Sequence, residues 1–299
     1  MAFITRKFLE HDGPTFVVAI AIYAGWFLLI RFNAALPWWV IVPIGAYLIA
    51  WHFSLQHEAI HSLRGVPGWL RFAIVFPPLG LWFPYPLYRR SHSIHHRDNN
   101  LTDPDLDTES YYVWRTEWER GGALRRAVLL INQTLLGRLG IGPLLRLWKL
   151  ARREAARLGH RDFSHVSAWA IHIPAVAVLF WVCHHYGMVW WKYVLLMAYP
   201  GMSLGLLRAF IEHRAAHGAS ERTASVESNV LFGLLFLNNN LHIAHHLQPT
   251  MQWYRIPAHY RANRDALLQI NDHFVFRGYA EIARRYLVRP VFHPVHPFL

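Results

Sequence analysis

The sequence predicts an all-α integral membrane protein: about four transmembrane helices in two hairpins, with a cytoplasmic helical cap holding clustered histidines. Three observations predict it. Hydrophobic residues make up 54% of the 299-residue chain and charged residues only 16%, where a soluble domain carries about a quarter charged. Apolar stretches are long enough to cross a bilayer. The lysines and arginines fall almost wholly on one side of those stretches. Fourteen tryptophans agree, since indole rings favour the bilayer interface. No shift in composition divides the chain, so one membrane domain over residues 1–299 is expected.

The opening MAFITRKFLEHDGPTF has charge but no apolar core followed by a cleavage site, so no removable signal peptide is read there. Residues 15–32 and 36–55 each suffice to span, because about 20 residues cover the ~30 Å hydrocarbon core. Only a few residues link them, which predicts a helical hairpin. Residues 166–184 and 189–210 predict a second hairpin. Between the two, residues 69–88 are apolar but carry four prolines, and prolines break a lipid-exposed helix, so this segment is read as interfacial or re-entrant. Residues 123–157 mix leucine with arginine at helical spacing, the pattern of an amphipathic helix on the membrane surface.

Orientation follows from the basic residues. Two precede the first span, 16 lie in residues 57–165 and 10 lie from Arg208 onward, leaving only Arg31 and Lys192 opposite. The asymmetry puts both termini and the parts 57–165 and 211–299 on the cytoplasmic side, at the inner membrane if the cell is bacterial. The formal charge of +12 is then a topology signal helped by anionic headgroups, and no nucleic-acid partner is expected. Cys183 is the only cysteine, which excludes an internal disulfide and a thiolate cluster. Any metal must take nitrogen or oxygen ligands.

Three histidine clusters fall on that cytoplasmic side, each near the end of an apolar segment. His57 and His61 are four apart. His92, His95 and His96 stand at i, i+3 and i+4, and His242, His245 and His246 repeat that pattern. Residues three and four apart share a helix face, so each cluster can present two or three imidazoles to one point, and neutral imidazole is the commonest protein metal ligand. In a chain this rich in histidine, one HxxHH string arises by chance roughly 0.1 times, so the set rather than any single match carries the signal. Spacing alone leaves zinc, copper, iron and nickel open. His57-Glu58-Ala59-Ile60-His61 is also the H-E-x-x-H string in which two histidines hold zinc and the glutamate is a general base. That reading leaves the other six histidines without a role.

In this order and around two hairpins, the HxxxH, HxxHH and HxxHH motifs resemble the integral-membrane fatty acid desaturase and hydroxylase superfamily. The resemblance runs from about residue 36 to residue 260. It implies a non-haem centre of two iron ions at the cytoplasmic membrane surface, using O2 as co-substrate against an unactivated C–H bond. The eight histidines named above become the implied iron ligands. A ninth is expected on the segment leaving the last span, where His213 is the choice and His217 the competitor. Some desaturases hold a metal-linked asparagine four residues before this histidine; Ala209 stands there instead. The bilayer supplies the acyl-lipid substrate. No electron-carrier module is appended, so a ferredoxin or a cytochrome with its reductase is expected as donor.

The stretch after the second cluster holds five carboxylates, Asp98, Asp103, Asp105, Asp107 and Glu109. They read either as a solvated, turn-rich loop or as acceptors for the outer N–H of ligating histidines, with Asp98 and Asp103 as candidates. Glu58 is a further candidate. Asn238, Asn239 and Asn240 either orient His242 or cap its helix. Arg208 and Glu212, four apart, are expected to pair. His52 is read as a hydrogen-bonded interior histidine, and His293 and His296 as part of an irregular tail. Lipid desaturation ranks first, and hydroxylation or ketolation of a lipid or carotenoid-like substrate second. The reading from another class is a haem-binding electron-transfer protein, which needs paired histidines at membrane depth rather than clusters at span ends.

Overall fold

The structure, a computed structural model, describes residues 12–63, 65–96 and 101–299. In chain order its helices begin with α1 (Gly13–Arg31), α2 (Trp38–His61), α3 (Gly68–Val75), α4 (Tyr85–His95), α5 (Arg115–Arg120), α6 (Ala123–Asn132), α7 (Leu135–Gly140) and α8 (Gly142–Gly159). They continue with α9 (Val166–His185), α10 (Trp190–Tyr193), a π-helical turn (Val194–Ala198), α11 (Tyr199–Ala209), α12 (Val230–Leu235), α13 (His242–Leu247), α14 (Ile256–Ile270) and α15 (Tyr279–Tyr286). The protein is mainly helical, as expected. Two compact units divide it, Met1–Arg89 with Leu144–Gly205 and Arg90–Pro143 with Leu206–Leu299.

In the first unit α1, α2 and α9 are long and apolar enough to cross a membrane. Asn33 closes the end of α1: its amide nitrogen donates to the Ile30 carbonyl at 2.8 Å and to the Tyr186 carbonyl, beyond α9, at 2.9 Å. The expected fourth span is helical from Trp190 to Ala209 but is divided by the π-helical turn. An i→i+5 turn inserts a residue into the ladder and re-aims the helix beyond it. The second span differs in length: α2 continues six residues past position 55 and carries His57 and His61 one turn apart, as their spacing implies.

The proline-rich segment behaves as irregular backbone must in an apolar setting, where each carbonyl needs an internal partner. After α3 the chain leaves helical geometry at Pro77 and Pro78. The buried Tyr193 hydroxyl donates to the Leu79 carbonyl at 2.7 Å, and His172 Nε2 donates to the Leu81 carbonyl at 2.7 Å. Tyr23 donates to the Ile74 carbonyl. Tyr23 also meets His52 Nε2 at 3.1 Å, so His52 is the interior hydrogen-bonded histidine that was expected.

The amphipathic stretch is not one helix. It is broken at Gln133–Thr134, where the Thr134 hydroxyl caps α7 by accepting from the Gly137 amide, and again at Ile141. On α8 the exposed large side chains Leu144, Trp148 and Leu158 form one apolar stripe, as an in-plane membrane helix requires.

In the second unit a two-stranded parallel pair, β1 (Ser225–Val226) with β2 (Val275–Phe276), braces α13 against α14. Leu241, Ile243 and Ala244 pack on Ile256, Tyr260 and Leu267. The chain enters this packing through Leu237 and Asn238, both left-handed with φ of 48° and 57°. That reversal turns α13 back toward the site.

Close helix packing in the first unit generates a test. A Cβ on Gly201 would lie 2.3 Å from Cβ of Ile49, whose β-branch cannot swing away. Overpacking of this kind costs about 1–3 kcal/mol. Gly201→Ala is expected to lower the thermal midpoint in detergent, and a midpoint equal to wild type would contradict the packing described.

Candidate metal centre

Helix register builds the first half of the site. His92 and His95 lie on the last turn of α4, with His96 one residue beyond, and His242, His245 and His246 occupy α13. His213 comes from the extended segment after α11, held by backbone pairing of residues 212–214 with residues 222–224: Ala224 N–H donates to Glu212 at 2.9 Å and Arg214 N–H to Arg222 at 2.9 Å. Ala224 in turn accepts from the Ile243 amide at 3.1 Å, which ties that segment to α13.

These elements bring seven imidazoles into two sets within the second unit. The ligand nitrogens of His92, His96 and His245 all lie within 4.8 Å of one another, and so do those of His95, His213, His242 and His246. His245 Nε2 stands 3.1 Å from His96 Nε2. His242 Nε2 stands 3.2 Å from His213 Nε2 and 3.1 Å from His246 Nε2. On α2, in the first unit, the His57 and His61 rings are 4.9 Å apart.

The opposite ring nitrogens explain why the Nε2 atoms face one another. His92 Nδ1 donates to Glu109 at 3.0 Å, His95 Nδ1 to Asp107 at 3.1 Å, and His242 Nδ1 to the Asn239 side-chain oxygen at 3.0 Å. A carboxylate or amide oxygen only accepts, so it fixes a proton on Nδ1 and, in the neutral ring, leaves a lone pair on Nε2. Of the close pairs, His242 Nε2 faces both His213 Nε2 and His246 Nε2 and can accept from only one of them at a time, and leaving buried polar atoms unpaired is costly. The buried His95 Nε2 has no hydrogen-bond partner at all. A Lewis acid resolves this arrangement, and an all-imidazole donor set suits a first-row transition metal.

Electrostatics agree. Burial disfavours charge on His95, yet the carboxylates of Glu109, Asp107 and Glu212 outweigh it and push its pKa up to about 9. Burial and the neighbouring His95 push His213 down to about 3. Burial and the surrounding imidazoles also drive His242 and His246 well below the ordinary histidine range. The carboxylates thus favour positive charge, which His95 can take up as a proton while His213, His242 and His246 resist it; a divalent cation would meet the same demand. Glu212 contributes from the other side, 2.8 Å from Arg208 as its spacing predicts and 3.5 Å from His242 Nδ1.

The acidic loop divides between the two readings. Asp107 and Glu109 are the histidine acceptors. Asp103 instead takes the amides of Asp105 and Leu106, each at 2.8 Å, and is a turn residue. The expectation for Asp103 therefore passes to Asp107 and Glu109, which sit far enough along the loop to reach back to α4. Asp98 lies outside the described residues. Among the asparagines, Asn239 orients His242, whereas Asn238 donates to the Trp253 carbonyl and Asn240 to the Val226 carbonyl. None caps α13, whose N-cap position is Leu241. Glu58 accepts from the Ser62 hydroxyl at 2.6 Å. His217 is exposed, with its ring 4.0 Å from that of Phe298.

A helical membrane protein with two convergent, buried to half-buried histidine sets capable of holding metal is the class that these features define. Residues 33–278 match the sequence profile described as fatty acid desaturase, which covers most of the chain. The chain belongs to the fatty acid desaturase family. Comparison with curated proteins gives no match. The family and the histidine clusters together fit a di-iron lipid oxidoreductase.

The two readings of the acidic loop separate in solution. Asp107→Ala is expected to weaken metal binding by about 10–100-fold, the usual cost of losing the partner of a ligating histidine. Asp103→Ala is expected to leave it unchanged. Competition with a chelator measures both, and equal losses would remove the distinction.

Proposed function

We propose that the protein is an O2-dependent acyl-lipid desaturase whose histidines hold two irons. The observation that carries the reading is the outward anchoring of Nδ1 on His92, His95 and His242, which leaves their Nε2 lone pairs converging. His95, His213, His242 and His246 form one ligand set. His92, His96 and His245 belong to the other, and His57 and His61 are proposed as the two remaining ligands. The spacing of that pair on the last turn of α2 and the family's motif order support this assignment.

Bound there, the iron pair would supply the oxidising power to take hydrogen from an unactivated C–H bond. The chain's own residues hold and insulate it. Asp107, Glu109 and Asn239 keep each imidazole in one tautomer and one ring orientation. Asp107, Glu109 and Glu212 balance the charge of the cations. A cavity of about 30 Å³ beside Asp107, Glu109, Glu212 and His213 has room for about one water, by which protons can be exchanged.

We place the site and both termini on the cytoplasmic face of a multi-pass protein. The distribution of lysine and arginine supports this. A basic cytoplasmic face also suits an acidic external electron carrier, a ferredoxin or a cytochrome with its reductase.

Expression in a host whose lipids are profiled by mass spectrometry tests the reaction. Acyl chains lighter by two hydrogens are expected, and chains heavier by one oxygen would make the protein a hydroxylase instead. His95→Ala is expected to abolish the change and lower bound iron while the protein stays in the membrane. His217→Ala is expected to keep activity. Full activity in His95→Ala would overturn the ligand assignment.

A further inference from the structure

His293 and His296 are read from sequence as part of an irregular tail, yet the structure threads this stretch against the loop that carries the histidine acceptors. The Val291 amide donates to the Gln133 carbonyl at 2.8 Å. The Val113 amide donates to the Pro294 carbonyl at 2.9 Å, and the His296 amide returns the bond to the Val113 carbonyl at 3.1 Å. The Tyr112 ring packs on the rings of His296 and Phe292, with centroids 5.2 and 6.2 Å apart. His296 is buried at 5% exposure.

From His296 an unbroken path runs to a ligand candidate. The Phe298 amide donates to His296 Nδ1 at 3.3 Å, which leaves the proton on Nε2. That Nε2–H donates to the Thr102 hydroxyl at 3.1 Å. The Thr102 amide donates to one Asp107 carboxylate oxygen at 2.9 Å. The other Asp107 oxygen accepts from the Glu109 amide at 2.8 Å and from His95 Nδ1 at 3.1 Å. Thr102 itself is β-branched and sits at a φ of 76°, a conformation that costs energy unless its surroundings hold it. They do so from two sides, because the Ser110 hydroxyl donates to its carbonyl at 2.7 Å.

We propose that residues 288–299 act as a clasp on the acidic loop, with His296 and Thr102 as positioning residues that set the orientation of His95 through Asp107. The inference rests on the reading of His95 as a metal ligand and adds a second layer to it. The tail reaches His95 through this loop, by way of Thr102 and Asp107. It holds the loop whose carboxylate fixes the tautomer and direction of the imidazole.

Two single variants and their double test this in purified, full-length protein. His296→Leu removes the donor, and Thr102→Val removes the hydroxyl while keeping the β-branch and the amide. Each is expected to speed iron loss to a chelator roughly tenfold, within the range for residues behind a ligand. The double variant is expected to be no faster than either single, because both cut the same path. His296→Gln, which keeps an N–H donor, is expected to restore most of the wild-type rate. Hydrogen exchange supplies a readout that needs no iron: amides in residues 101–113 are expected to exchange faster in His296→Leu. Wild-type iron retention in both singles, additive losses in the double, or failure of His296→Gln to recover would each overturn the clasp. A wild-type protein that binds no iron would instead sink the metal reading, and the exchange result would then decide the clasp alone.

Discussion

Everything at the site depends on where the imidazole protons are held. An imidazole has two nitrogens and, when neutral, one proton, so anchoring that proton outward aims a lone pair inward. Glu109, Asp107 and Asn239 do this for His92, His95 and His242. The result is a buried region crowded with acceptors and ringed by carboxylates. Such a region is suited to a cation, which is why the arrangement fits a metal site.

The scaffold serves that requirement by using rigid elements. Helix α4 with the residue that follows it, and the short α13, fix six of the rings about a turn apart, and residues 212–214 deliver His213 on an extended segment tied by backbone hydrogen bonds to α13's own neighbour. In the apolar unit, irregular backbone is tolerated where Tyr193 and His172 satisfy the carbonyls of Leu79 and Leu81. The π-helical turn at Val194–Ala198 is a further departure from regular geometry, of the kind often seen near functional sites.

The parts of this protein legible in its sequence were those governed by periodicity. Three apolar segments and the i, i+3, i+4 histidines obey one helical rule, and the structure draws seven of the nine named histidines into two sets of the second unit. The Arg208–Glu212 pair obeys the same rule. Residues in loops have no such period. Five carboxylates in a row gave no means of choosing Asp107 and Glu109 over Asp103, since the choice depends on how the loop folds back onto α4. His296 gave no signal either, because its partner Thr102 lies 194 positions away. The π-helical turn leaves no mark in hydropathy, and the six extra residues of α2 were hidden because His57 and Glu58 look like an exit from the membrane.

The most direct test is the metal content and ligation of the protein purified from membranes in mild detergent, read by elemental analysis with X-ray absorption at the metal edge. Two irons per chain are predicted, each bound mainly by imidazole nitrogen. One metal per chain, zinc in place of iron, or a haem absorption band would contradict the di-iron centre.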